Sequence, residues 1–153
     1  MNKGNGMRQQ IVIRGAAVSD AARIQRLNRD ALGYDYPVDK TALRLAELIE
    51  NPDCRVFVAL ADDLVVGYVQ ANGYRATYGD PAVNVMGLAV DESVRGEGVG
   101  RALMEYVEAW GRDGHADEVR HNSEAQRVGA HEFYRSIGYA LNKMQARFGK
   151  PLR

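Results

Sequence analysis

The chain has 153 residues, 46% apolar and 26% charged, with 20 basic side chains balanced by 20 acidic ones. That length suits one domain with its own core, and the balance excludes a disordered chain and a strongly basic nucleic-acid binder. A single cysteine excludes an internal disulfide.

Residues 1–10 are polar and glycine-bearing with a second methionine at Met7, and are expected to be a disordered tail outside the fold, with no leader or membrane segment. Ile11 to Arg14 is short and β-branched and reads as a first strand. Ser19-Asp20 offers a cap for a helix with Ile24, Leu27 and Ala31 at its spacing, and Gly33 to Pro37 breaks it. Asp39 caps a second helix with a stripe of Ala42, Leu45, Ala46 and Ile49, ended by Asn51-Pro52. Cys54 to Leu60 and Leu64 to Ala71, joined at Asp62-Asp63, read as a hairpin. The stretch 72–81 reads as loop or strand end, and Ala82 to Val90 as a strand with Gly87 placed for a bulge. Val99, Ala102, Leu103, Tyr106, Val107 and Trp110 form one helical face, terminated by Gly111 and Gly114. Asp117 to Asn122 is a short strand, Ala130, Phe133, Tyr134 and Ile137 a last helical stripe stopped by Gly138, and Tyr139 to Lys150 an edge strand. The order β-α-α-β-β-β-α-β-α-β predicts one α/β domain over 11–153 with a mixed sheet.

Between the 82–90 strand and its helix lies VRGEGVGR, with glycines at 96, 98 and 100 between Arg95 and Arg101. A strand, a glycine-rich turn and a helix start expose backbone N–H groups to an anion, and the helix dipole favours negative charge there. A P-loop needs Lys-Ser/Thr after its last glycine, and Arg101-Ala102 stands there instead. The dinucleotide fingerprint needs G-x-G-x-x-G early in the chain, and the spacing here is G-x-G-x-G late in it. Arg95, Gly98 and Gly100 satisfy a third pattern, Arg/Gln-x-x-Gly-x-Gly/Ala. A structural glycine turn between core elements is the bland alternative.

The segment LAVDESVRGEGVGRALMEYVEAW resembles the acetyl-CoA motif of the GCN5-related N-acetyltransferases (the GNAT superfamily), and AHEFYRSIGY resembles that family's late helix. The tail KMQARFGKPL is similar to that of a bacterial small-acetyltransferase subgroup. The resemblance implies a GNAT-like mixed sheet of six to seven strands flanked by about four helices. It implies acetyl-CoA as cosubstrate, with its pantetheine paired to the backbone of Leu88, Ala89 and Val90. Its diphosphate would rest on Arg95, Gly96, Glu97, Gly98, Val99, Gly100 and Arg101. Tyr134 matches a tyrosine that donates a proton to the departing thiolate; a core tyrosine would look the same in sequence.

Two positions depart from the family pattern. Arg127 stands where many members have a cofactor-binding asparagine, and Met86 where many have a glutamate base. Glu92, His121, Glu124 and His131 are then the candidate bases, with His131 beside its helix stripe and reading as a surface side chain. Cys54, opening an apolar strand away from both motifs, reads as a buried side chain and not an acyl carrier. Direct attack of an amine on the thioester is the expected chemistry. By the same resemblance the acceptor site draws on Tyr34, Tyr36 and Tyr74, near Asp35, Glu47 and Arg75, which suits a small cationic or aromatic amine; surface or dimer contacts are an equal reading of these tyrosines. A protein or peptide amino group, or a regulatory module that binds acyl-CoA without turnover, are the alternatives. A cytoplasmic homodimer is the expected setting, without metal, membrane or nucleic acid.

Overall fold

The computed structural model describes residues 10–122 and 128–153. They fall into two compact units, one reaching to His121 and one beginning at Asn122. The expected tail 1–10 lies outside the described residues, apart from Gln10.

The first unit is built on a sheet of five strands in the order β1-β2-β3-β4-β5. They are β1 (Ile11–Gly15), β2 (Cys54–Ala61), β3 (Leu64–Ala76), β4 (Gly79–Val90) and β5 (Glu118–His121). The first four run antiparallel and β5 runs parallel to β4, so the sheet is mixed as expected. The expected six to seven strands are corrected to five among the described residues. The stretch 139–153 forms no strand. Leu141, Met144 and Phe148 stand three and four residues apart and are exposed; without period-two alternation no face exists for a sheet to bury.

The β2–β3 hairpin turns at Asp62 and Asp63, both left-handed at φ 48° and 63°. That is the two-residue turn whose twist matches paired strands. The stretch 72–81 is not a loop: β3 continues to Ala76 and β4 begins at Gly79, leaving only Thr77-Tyr78 between them. Two one-residue bulges shape the sheet, with a third irregularity between Tyr74 and Ala76 beside the β3–β4 turn. One leaves Val66 unpaired between Val65 and Gly67 on β3, and the other leaves Met86 unpaired between Val85 and Gly87 on β4.

On one face lie α1 (Ala21–Leu27), continued by a wide turn over Asn28–Leu32, and α2 (Val38–Glu50). Their Ala21, Ile24, Leu27 and Leu45 pack on Cys54, Val56, Val58, Val65, Tyr68 and Ala89. Asp20 supports the start of α1 from inside the preceding 3-10 turn. Its carboxylate accepts the Ala17 N–H at 2.8 Å and both guanidinium nitrogens of Arg14 at 2.7 and 3.0 Å. In α2 the expected cap Asp39 sits within the first turn, and Pro37 occupies the capping position with the Thr41 hydroxyl donating to its carbonyl. The buried stripe of α2 runs through Thr41 and Leu45 with Leu48 packed against the core, while Ile49 is exposed. Ala42, expected on the stripe, also packs against the core.

On the other face α3 (Val99–Asp113) buries Val99, Leu103, Met104 and Val107 completely. Full burial of such side chains stabilises by about 1.5–3 kcal/mol each. Tyr106, expected on this face, is half out of it, its ring edge meeting Phe57 at 5.5 Å. Gly111 does not end the helix. It is buried inside α3, where a Cβ would stand 3.4 Å from Val83 Cγ2, and Gly114 provides the stop.

The second unit contains α4 (Val128–Ser136). It ends as expected at Gly138, left-handed at φ 97°. The Gly138 N–H donates to the Arg135 carbonyl and the Tyr139 N–H to the Tyr134 carbonyl, the double bond of a Schellman stop.

Candidate anion-binding turn and the open edge of β4

The glycine turn is assembled from β4 outward. After Val90, Asp91 caps a short 3-10 turn over Glu92–Val94, its carboxylate accepting the Ser93 N–H at 2.9 Å and hydroxyl at 2.6 Å. Those bonds hold the Asp91 carboxyl below the usual carboxylate range. Val94 anchors the turn by burial. Gly96 and Gly98 then both take left-handed φ, 80° and 85°, and a Cβ on either would point into open space. The conformation, not crowding, requires glycine there. The first bond of the α3 ladder runs from the Ala102 N–H to the Gly98 carbonyl at 3.0 Å. The N–H groups of Val99, Gly100 and Arg101 therefore precede the ladder and form the open first turn. Within the turn the N–H groups of Arg95 and Glu97 are spent on the carbonyls of Glu92 and Val94, each at 3.3 Å. The donors left for an anion are therefore the N–H groups of Gly96 and Gly98 together with those of the helix start.

The turn continues an unpaired strand edge. β5 pairs with β4 only from Ala82 to Val85, and among the described residues no strand covers that edge further on. The Met86 bulge lies where pairing stops, as bulges bend a strand and end a ladder. The Asp91 N–H donates to the Val66 carbonyl at 2.7 Å, so Asp91 faces β3. Antiparallel backbone alternates, so Ala89 also faces β3 while Leu88 and Val90 direct N–H and C=O to the open edge. An extended chain with amide groups can add there like a strand, and its negative end then reaches the helix start. This arrangement fits a coenzyme A molecule, which carries amides on one arm and a diphosphate beside them.

Beneath the bulge sits a buried polar pair. The Tyr68 hydroxyl donates to Asn28 Oδ1, and a Cβ at Gly87 would stand 3.1 Å from that hydroxyl. Burial pushes the Tyr68 phenol up to about 12. Neither residue was a sequence candidate, because a tyrosine in an apolar run and an asparagine at a helix end carry no motif.

The other candidates are scattered. Tyr134 lies in the second unit, half-buried, its ring edge-on to Phe133 at 5.1 Å and Tyr139 at 5.9 Å. Arg127 and Glu124 lie outside the described residues. Met86 is exposed, and its sulfur accepts from the Asn84 amide at 3.1 Å. Glu92 is exposed on the 3-10 turn, His121 is half-buried at the end of β5 opposite Val85, and His131 is half-buried on α4. Cys54 is buried in the core, and burial pushes its thiol up, which disfavours the thiolate an acyl carrier needs. Tyr34, exposed, is close enough to act on the Tyr68 phenol, and Tyr36 interacts with Arg44. Tyr74 lies six residues beyond Tyr68 on β3, roughly 20 Å at strand rise. The three tyrosines therefore do not form one cluster. Among the described residues no group of three His, Cys, Asp or Glu side chains could hold a metal, and no helix is long and apolar enough to cross a membrane.

The model of the acetyltransferase (GNAT) family matches residues 21–139. An aminoglycoside N(6')-acetyltransferase type 1 of Stenotrophomonas maltophilia is 30% identical over 145 residues, covering 92% of this chain and 93% of that protein. An N-acetylaspartate synthetase of Xenopus tropicalis is 29% identical over 91 residues, covering 60% of this chain and 32% of that protein. Among solved structures, an aminoglycoside 6'-N-acetyltransferase from Acinetobacter baumannii superposes with a TM-score of 0.83 at 16% identity, over 94% of this chain and 100% of that one. An aminoglycoside N-acetyltransferase in complex with CoA gives 0.82 at 19% identity, over 92% and 95%.

Proposed function

Because this chain belongs to the acetyltransferase (GNAT) family, we propose that it transfers an acetyl group from acetyl-CoA to a primary amine of a small molecule by direct attack in a ternary complex. It is an acyl-CoA-dependent N-acyltransferase with acetyl-CoA as cosubstrate. The observation that carries the reading is the open edge of β4 running into the glycine turn of α3.

Acetyl-CoA supplies an acetyl group already activated as a thioester. The chain's part is to hold and to move protons. The N–H groups of Val99, Gly100 and Arg101, at the positive end of α3, bind the diphosphate, with Arg95 and Arg101 as charged donors beside it. Leu88 and Val90 hold the pantetheine arm by their edge-facing backbone. Tyr134 donates to the leaving sulfur, and Arg127 adds a phosphate contact. Met86 cannot take a proton, so the amine attacks the thioester carbonyl in its neutral form, its proton lost to water. The buried Cys54 takes no part.

Thiol release from acetyl-CoA in the presence of primary amines tests this. Tyr134→Phe should lower kcat by roughly 10- to 100-fold with acetyl-CoA affinity unchanged. Acetyl-CoA binding without turnover on any amine would leave only a regulatory, ligand-sensing module. The names of the relatives suggest aminoglycosides and amino acids as first acceptors. Turnover confined to peptides would move the acceptor to protein amino groups.

A further inference from the structure

The sheet face under α1 and α2 changes character along β3 and β4. Near the helices it is the apolar core. The register Gln70↔Gly87, Asn72↔Asn84 and Tyr74↔Ala82 places Gln70, Asn72, Tyr74 and Asn84 on the same face further along. Arg120 joins them from β5, directly opposite Asn84. All five are half-buried, which is neither core nor free surface. The inner end of this polar strip is the Met86 bulge, beside the open edge where the thioester is held in the function proposed above, on which this inference rests.

Arg120 is the one cation of the strip, and the carboxylate that shares its face, Glu118 opposite Ala82 at the outer end, makes no ion pair with it among the described residues. The Arg120 guanidinium carbon lies 4.4 Å from the centre of the Tyr74 ring. Stacking fixes the plane of the guanidinium and leaves its in-plane N–H fork available to a carboxylate. None of the ion pairs among the described residues engages Arg120. Glu118, two residues away on the same strand, is exposed. Two acids on the side of the neighbouring helices are already engaged: Asp35, in the connection before α2, accepts from the Gln25 amide at 3.1 Å, and Glu47 on α2 pairs with Arg44 at 2.9 Å. A second feature points to a ligand. Asn84 Oδ1 is buried without a hydrogen-bond partner among the described residues, while its Nδ2 is spent on the Met86 sulfur. A buried acceptor lacking a donor is costly and suits an incoming N–H.

We infer that the acceptor is an amine that also carries a carboxylate, of amino-acid or short-peptide size, with its carboxylate on the Arg120 fork and its amine between Asn84 Oδ1 and the bulge. Along β4, Asn84 and Met86 are roughly 7 Å apart, about the span of one amino acid. A polycationic acceptor meets a less favourable setting, since an ammonium group near the bulge faces Arg120 and the nearest carboxylate on this face, Glu118, is exposed at the outer end.

The test is thiol release from acetyl-CoA with L-glutamate, L-aspartate and glycylglycine, against their carboxamides, putrescine and kanamycin. Carboxylate-bearing amines should exceed the carboxamides in kcat/KM by at least about tenfold, the size of one charge-assisted bidentate pair. Arg120→Gln should abolish that preference with acetyl-CoA affinity unchanged. Arg120→Lys, which keeps the charge and loses the fork, should retain part of it, and provides the test if the glutamine variant does not fold. Arg120→Glu should shift preference toward putrescine. Carboxamides, putrescine or kanamycin turned over as well as the carboxylates, or a preference that survives Arg120→Gln, overturns this inference and leaves the acetyltransferase reading in place. Acetyl-CoA binding with no turnover on any of these amines overturns both.

Discussion

Gly98 ends the turn in a left-handed conformation, and the α3 ladder starts on its carbonyl. An alanine there has room for its methyl group but pays about 1–2 kcal/mol for the backbone. The chain can relieve that cost only by rotating the N–H groups of the helix start. Gly98→Ala should therefore weaken acetyl-CoA binding roughly tenfold in a calorimetric titration, with circular dichroism unchanged. A variant that binds as tightly as the parent would remove the turn from the site. Asp20 makes a different case, one of stability. The Arg14 hydrogen bond holds its carboxyl below the usual range, so its contribution is fully present above the unfolded carboxylate value near 4 and is lost as pH falls through and below it. Asp20→Asn should cost about 1–3 kcal/mol at pH 7 and flatten the loss of stability on acidification, as read by urea melts at pH 7 and pH 3.

At the level of elements, α3 fixes where the turn stands, and Gly67 fixes α3. A Cβ at Gly67 would come within 3.1 Å of Val99 Cγ1 and 3.3 Å of Leu103 Cδ1 and the Ala89 carbonyl oxygen. Gly67→Ala must push the first turn of α3 off the sheet, costing about 1–3 kcal/mol and lowering acetyl-CoA affinity with it. Thermal melts and titration of the same sample check both, and a loss of stability without loss of affinity would uncouple them. Such packing was invisible in the sequence, where Gly67 is one glycine in an apolar run. Strands β1 and β2, both hairpin aspartates and most of the α3 face were legible because their apolar runs and periods follow directly from backbone geometry, whereas 139–150, read as an edge strand, forms none. The glycine turn was legible because three glycines between arginines have few structural uses. The polar strip was missed for a physical reason. Gln70, Asn72 and Tyr74 alternate on one face, but Asn84 and Arg120 join them only through strand register, which one sequence does not display. Reading 72–81 as loop or strand end hid the first part as well, since glycines and tyrosines there mask a strand that continues to Ala76.

Over the whole molecule, the first unit brings together the open edge of β4, proposed to take an extended amide chain, the start of α3, proposed to take its phosphates, and a half-buried polar face beyond the bulge. Each is built from backbone geometry or strand register, and none depends on a single reactive side chain. In the proposed mechanism catalysis rests on positioning, on proton donation by Tyr134 and on the neutral form of the amine, so rate should rise with pH toward the amine's own pKa. The buried Tyr68 phenol, held near 12, adds no alkaline limb to that profile. The central claim is that the edge of β4 and the head of α3 form one coenzyme A site. Calorimetric titration of the intact chain with acetyl-CoA, desulfo-CoA and NADH tests it most directly. One-to-one binding of both coenzyme A compounds at about micromolar Kd, with NADH giving no heat, is the predicted result. A folded protein that binds neither coenzyme A compound would contradict it and reduce VRGEGVGR to a structural turn.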